Sequence, residues 1–524
     1  MTAFPSDRTS RAPRGLVCSV DQLASGAGVA TLRAGGNAAD AAVATSAVLA
    51  VTTQHMCGMG GDLFALVHEP GRDRPDVLVS VGRAGSGADP AVLRAEGLDA
   101  LPLRGDVRSA TVPGCVDGWT ALHERYGRLP LDVVLAPARE YAAGGFPASP
   151  LLAAAVQGVV GVAGADDYLV DGRAPRPGTR IRRPRVAAIL EDLAAGGRAA
   201  FYGGAFGQGL LELGRGWFAP EDLARPLAEW AAPRGLADWD PDVRTLPPPP
   251  PGYRSGAGAW IAAGLPLPGD PDDAAWPHLL SEAARAAGRD RLDVLFDGAD
   301  GPALVDPARL APRRDAIDAD RQSARTTPTR PGGTIYLCAV DEDRMGVSLM
   351  QSNAADWGAH LVVPGSGIFL HNRGIGFSLR EGHPAELGPG RRPPHTLSPA
   401  LVTRGGRLSH LLGSMGGDIQ PQVVLQLLAR LLHAGQTPAD AVGAARWTIG
   451  DGGFDSWKGE GPQTTQVEEG APPAWSDGLA RRGHHVVPVP AGSGFGHAHV
   501  LEVGEDGLAG AVDPRALTGA AIGY

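Results

Sequence analysis

Lysine is all but missing from this chain. Lys458 is the only one in 524 residues, so arginine supplies nearly all the positive charge, a bias that reflects genome base composition more than chemistry. Cysteine is scarce too. Cys18, Cys57, Cys115 and Cys338 are the four present, with no CxxC spacing among them. That excludes a disulfide framework and a cysteine-built metal site, and it suits small buried thiols in a reducing cytosol. No metal and no cofactor is expected. With a net charge of −10 and no basic stripe interleaved with aromatics, nucleic acid is not an expected partner. No apolar run approaches the roughly 18 residues of a membrane span. The opening "MTAFPSDRTSRAPRG" lacks the apolar core of a signal peptide. The expectation is a cytoplasmic protein with no membrane partner, acting on a small molecule.

The residues present are those of an ordinary globular chain, 43% hydrophobic and 20% charged. Its length asks for two domains or one large layered α/β unit. "GLVCSV" (15–20) predicts a strand. "DQLASGAGVATLRAGG" predicts a helix with an Asp cap and a Gly-Gly stop. "NAADAAVATSAVLAVT" (37–52) is apolar nearly all round, which predicts a buried helix. "DLFALVHEP" and "DVLVSVG" predict a hairpin, and 112–245 reads as mostly helical. "PPPPPGYRSGAGAW" (247–260) reads as a polyproline-like loop, and the polar, arginine-rich stretch 314–333 as an exposed linker. Strand patterns dominate after it, beginning with "TIYLCAVD".

That first strand raises a chemical question. Thr334 follows Gly332-Gly333 directly. A threonine after a glycine turn is an ordinary strand start. If the Gly333–Thr334 bond were cut, however, Thr334 would gain an α-amine with a pKa of about 8. One residue would then carry both nucleophile and base. A glycine before it permits the geometry an N→O acyl shift needs.

Several blocks, in order, resemble the γ-glutamyltransferase family of N-terminal-nucleophile hydrolases, which self-cleave into a large and a small subunit. They are "GGNAADAAVATSAVLAVTTQHMCGMGGDLFAL" (35–66), "ATVPGCVDGWTALHERYGRLPLDVVLAPAREYAAGGF" (110–146), "GGTIYLCAVDEDRMGVSLMQSN" (332–353), "GSGIFLHNRGIGFS", "RRPPHTLSPALV", "LLGSMGGDIQPQVVLQ" and "AVDPRALTGAAIGY". The resemblance implies an α+β fold, a four-layer αββα sandwich. It also implies a cut at Gly333–Thr334, giving a large-subunit segment 1–333 and a small-subunit segment 334–524 that stay together as a heterodimer.

By the same resemblance Thr334 is the nucleophile and Ser352 its hydrogen-bonding partner. Gly416 and Gly417 supply the oxyanion-hole amides, a task suited to residues that let the backbone approach closely. Arg83 grips a substrate carboxylate, which its forked guanidinium fits. Each has a structural alternative: a satisfied strand residue for Ser352, a strand-to-helix turn for the glycine pair, a solvated surface arginine for Arg83.

The chain also departs from the glutathione-cleaving members. Where they hold the glutamyl ammonium with Gln and Asp, Arg373 and Gly376 stand here, so an ammonium loses its acidic partner and meets a cation. His395 and Thr396 replace the family's paired serines. Asn353, beside Ser352, joins Arg373 and His395 among the expected substrate-binding residues, and Thr396 joins the catalytic ones. The lid tyrosine is missing from "LREGHPAELGPGRR". These features resemble the branch with oxamate amidohydrolase and cephalosporin-acylase-like proteins. They imply amide hydrolysis of a small carboxylate-bearing substrate, oxalyl or 2-oxo acid compounds included. Three alternatives remain: a C–C hydrolase releasing oxalate from a 4-substituted proline or pyrroline precursor in antibiotic biosynthesis, a glutathione hydrolase, and an uncleaved scaffold.

Overall fold

The buried helix predicted over 37–52 runs from Ala38 to Thr52, and all of its residues are buried. Asn37 caps it, accepting from the Ala39 and Asp40 amides, while the Asp40 carboxylate accepts from the Asn37 amide, a reciprocal capping box. A helix this apolar needs cover on every side. It receives that cover from the helix Gln22–Arg33, the helices around residues 115–144 and one face of a sheet. The computed structural model describes residues 8–233, 242–245, 252–323, 333–450, 464–492 and 494–524.

That sheet has seven strands in the order 520–523, 16–19, 333–340, 346–354, 62–68, 76–80 and 229–231, each neighbouring pair antiparallel. A second, six-stranded antiparallel sheet runs 10–12, 508–512, 498–503, 407–414, 400–404 and 242–244. Phe64, Tyr336, Met350, Leu401, Leu411 and Leu501 fill the dry layer between them. The helices Gly252–Ala263, Trp276–Gly288 and Gln420–Leu428 cover the far face of the six-stranded sheet. The architecture is the expected α+β, four-layer αββα sandwich. Both sheets take strands from before and after residue 334, so the helix-rich and strand-rich halves of the sequence are interleaved in space.

One expectation is corrected. The proline run 247–251 lies outside the described residues, but "GYRSGAGAW", read as loop, lies in the helix Gly252–Ala263. Tyr253, Ala257 and Ile261 turn one face into the core beneath the six-stranded sheet. Burial of that face outweighs the roughly 1 kcal/mol that each interior glycine costs a helix. Within the stretch read as linker, Arg314 and Asp315 close the helix Pro307–Asp315, residues 324–332 lie outside the described residues, and Gly333 opens a strand.

Gly413 lies where the two sheets press together. A Cβ there would lie 2.6 Å from the Tyr336 ring. Gly413→Val should overpack this layer and lower stability by about 1–3 kcal/mol, read as a lower urea midpoint with an unchanged slope.

Candidate active site

Antiparallel pairing reverses direction from strand to strand. The start of 333–340, the end of 346–354, the start of 62–68 and the end of 76–80 therefore meet at one edge of the seven-stranded sheet. Thr334, Ser352 and Asp62 fall there, and Ser352 pairs with Asp62 across the ladder. A register shift between Gln351 and Ala354 kinks the strand beside Gly333, and Ala354 takes a positive φ of 74°. Such bulges re-aim side chains. Gly61 permits this crowding, since a Cβ on it would stand 2.2 Å from the Ser352 carbonyl oxygen.

The edge carries a continuous polar chain, all of it shielded from water. Thr334 Oγ1 lies 2.7 Å from the Gly333 carbonyl oxygen and 3.0 Å from Ser352 Oγ. Ser352 Oγ donates to the same carbonyl at 2.7 Å and accepts from the Ala354 amide at 2.9 Å. It also accepts from Arg373 Nη2 at 3.0 Å. Arg373 Nη1 donates to Thr396 Oγ1 at 3.0 Å, and its Nε donates to Asp62 Oδ2 at 2.7 Å. Both members of that ion pair are buried.

Asp62 is the hub. His395 Nε2 stands 3.1 Å and His371 Nδ1 3.5 Å from the oxygen that Arg373 holds. Burial alone pushes the Asp62 carboxyl up. The Arg373 charge, with the His395 and His371 imidazoles close by, outweighs it and holds the group well below the usual carboxylate range. Burial and the Arg373 charge push His395 down to about 4 against the pull of Asp62, so its imidazole is neutral at pH 7. Phe64 packs edge-on against that ring, with centroids 4.8 Å apart.

Gly416 and Gly417 link the strand Arg407–Ser414 to the helix Gln420–Leu428, with φ of 132° and 60°, values that glycine tolerates best. Gln420, the first residue of that helix, donates from Nε2 to Thr334 Oγ1 at 3.4 Å and accepts from the Ser398 amide at 2.9 Å. It ties the glycine turn to the threonine.

The remaining sequence-predicted residues lie beside this chain. Asn353 donates to the Gln54 carbonyl at 2.8 Å. Arg83 follows the strand that ends at Ser80. Its Nη2 meets Glu229 at 2.5 Å and its Nη1 lies 3.8 Å from Asp297, and Arg392 bridges the same two carboxylates. Asp62, His371 and Gln420 were not singled out in the sequence. Asp62 and Gln420 stand inside the quoted blocks at "CGMGGDLFAL" and "GGDIQPQ", and Gln420 comes three residues after the singled-out Gly417.

A cavity of about 290 Å³ opens on Arg373 and Thr396. Ile375, Phe377 and Leu379 give it an apolar wall, Arg380 and Arg291, the latter paired with Asp418 at 2.6 Å, add guanidiniums, and Asp99 brings a carboxylate. Gly376 lies in the same wall and brings no acidic group.

The sequence profile of the gamma-glutamyltranspeptidase family matches residues 24–523. The chain belongs to this family. It is an enzyme of the N-terminal-nucleophile hydrolase type. A glutathione hydrolase-like proenzyme of Bacillus subtilis is 35% identical over 97% of this chain and 98% of its own length. The oxamate amidohydrolase proenzyme of Klebsiella pneumoniae is 34% identical over the same shares. The crystal structure of cephalosporin acylase from Bacillus halodurans superposes with a TM-score of 0.91 at 31% identity, covering 100% of this chain and 98% of that one. No helix among the described residues is long and apolar enough to cross a membrane.

The buried histidines set an acid limit for this family member. His395, His410 and His497 are held down to about 4, and His55 and His499 to about 3, each chiefly by burial. Unfolded, each regains a pKa of about 6.5. Between that value and about 4 the unfolded chain binds protons that the folded chain does not, so stability is greatest above pH 6.5 and falls as pH drops. The urea midpoint should decline steadily from pH 7 to pH 4, with a shallower decline in His395→Gln.

Proposed function

We propose that this chain is a self-processing amidohydrolase that cuts itself between Gly333 and Thr334 and then hydrolyses a small carboxylate-bearing amide, oxalyl and 2-oxo acid amides included. The observation that carries the reading is the pair of hydroxyls on one carbonyl. Thr334 Oγ1 and Ser352 Oγ each lie 2.7 Å from the Gly333 oxygen, and a guanidinium donates to Ser352 from behind. A cation-backed hydroxyl is a stronger donor than an isolated one. It polarises the carbonyl that the threonine hydroxyl attacks. The N→O shift yields an ester, and water hydrolyses it to free the segments 1–333 and 334–524.

In the processed enzyme the Thr334 α-amine takes the hydroxyl proton as Oγ1 attacks the substrate carbonyl. The Gly416 and Gly417 amides receive the oxyanion, and Gln420 keeps that turn in place. Collapse expels the amine, which leaves with the transferred proton. Water then attacks the acyl-enzyme, restores Thr334 and releases the acid. Arg373 and Thr396 face the cavity and hold the substrate's carboxylate, while Asn353, on the Gln54 carbonyl, and the neutral His395, against Asp62, stand outside its lining. Arg83 is also outside the lining, in a cluster with Glu229, Asp297 and Arg392 whose two carboxylates offset its two guanidiniums.

Three arginines, Arg291, Arg373 and Arg380, line the cavity against one carboxylate, Asp99, and with Gly376 in the wall this balance favours an anion over a γ-glutamyl ammonium. The relative named as an oxamate amidohydrolase acts on a compound of that charge, which lends the reading support.

Intact mass should show two fragments that meet at residue 334, and one full-length chain for Thr334→Ala. A wild-type chain that stays whole overturns the self-processing reading. With oxamate and a γ-glutamyl anilide offered side by side, ammonia release from oxamate should exceed anilide turnover by at least about tenfold, and Arg373→Met should remove about 2–4 kcal/mol of transition-state stabilisation. Faster turnover of the anilide overturns the substrate assignment.

A further inference from the structure

A second cluster of chemically capable side chains lies apart from Thr334, at the junction between the helix Trp276–Gly288 and the turn after the helix Pro473–Arg481. His278, Glu282 and His484 are all buried there, and one ligand-type atom from each lies within 4.8 Å of the other two. His278 and Glu282 are four residues apart on one helix, so both project from the same face.

We propose that His278 Nδ1, His484 Nε2 and the Glu282 carboxylate form a binding site for a zinc-class divalent ion, with water as the fourth ligand. The hydrogen bonds around the cluster already set the first ligand. His278 Nε2 lies 2.9 Å from the Asp318 carbonyl oxygen, which can only accept, so Nε2 carries the proton and Nδ1 presents its lone pair. A ring N–H anchored on a backbone carbonyl is the usual support of a metal-bound imidazole. His484 Nδ1 stands 3.1 Å from Thr465 Oγ1, a hydroxyl that can accept from it once Nε2 turns to the ion.

His278 Nδ1 and His484 Nε2 are 2.8 Å apart, and the ion replaces the one proton they share. Two nitrogens, each about 2.0–2.1 Å from a tetrahedral ion, need a separation only slightly wider. Glu282 Oε1 is buried and accepts no hydrogen bond, and Arg285 Nε, 3.4 Å away, is the cation beside it. Glu282 Oε2 accepts from the Ser323 amide at 3.2 Å. Two imidazoles and a carboxylate make a donor set suited to zinc rather than to calcium or magnesium.

The ligands come from both sides of Gly333–Thr334, so in a cut protein the ion also fastens the two fragments together. That second role rests on the cleavage reading, whereas binding of the ion does not.

The test is calorimetry on the full chain, stripped with a chelator and titrated with zinc chloride. One equivalent should bind per chain. His484→Ala and Glu282→Gln should lose that equivalent, Thr465→Val should weaken it by about 10–100-fold, and His410→Ala should leave it unchanged. Cobalt chloride should give the visible bands of a four-coordinate ion in the wild type and not in His484→Ala. Circular dichroism checks the fold of each variant, and Thr465→Val, which removes no ligand, keeps the test decisive if His484→Ala unfolds. Absence of stoichiometric zinc in the wild type overturns the proposal, as does equal zinc affinity in wild type and Thr465→Val with unchanged cobalt bands.

Discussion

The carboxylate of Asp62 and the guanidinium of Arg373 face each other at 2.7 Å, buried at the edge of the seven-stranded sheet. Two charges taken out of water are costly unless their remaining hydrogen-bonding capacity is used. Here Arg373 spends the rest of its fork on Ser352 and Thr396, and Asp62 draws in His371 and His395. The pair thereby fixes the hydroxyl that lies against Thr334. A charge that must remain paired cannot drift, so the precision of the outer contacts follows from the cost of breaking the inner one.

The sheet makes that pairing possible. Asp62 and Ser352 face each other in register although they are 290 positions apart in the sequence. A one-residue slip would turn both side chains to the opposite face. The dry layer that includes Phe64 and Tyr336 sets the register. Core packing on one face of these strands therefore specifies chemistry at their ends. Gly61, pressed against the Ser352 carbonyl, is the local condition for that edge to close.

Much of this was legible in the sequence, unevenly and for physical reasons. Helix 38–52 announced itself, because fifteen consecutive residues without a polar face have only one place to go. Thr334 and Ser352 were picked out by resemblance to the family, and the hairpin that carries both sets their hydroxyls 3.0 Å apart. Helix 252–263 was not: its glycines argue for a loop, and only the neighbours that cover Tyr253 and Ile261 reverse the argument. Asp62 stayed hidden for a related reason. An aspartate at the start of a strand looks like a solvated cap until the arginine that neutralises it, 311 residues away, is placed against it. Arg373 was noticed as a cation near a substrate, and the structure adds that it is also the donor behind Ser352.

This double attachment bears on how such a scaffold changes substrate. An arginine that only lined the cavity could be exchanged with little effect on the rest of the site. Arg373 lines the cavity and also holds Ser352, Thr396 and Asp62, so a change at this residue alters the cavity and the hydroxyl pair at Thr334 together. Restoring a neutral amide there would leave Asp62 buried without its counter-charge, beside a His395 imidazole whose own protonation is opposed by burial. A neutral residue at 373 therefore requires Asp62 and its histidine neighbours to change with it. The buried pair constrains the cavity because the same guanidinium holds the sheet's end and lines the opening.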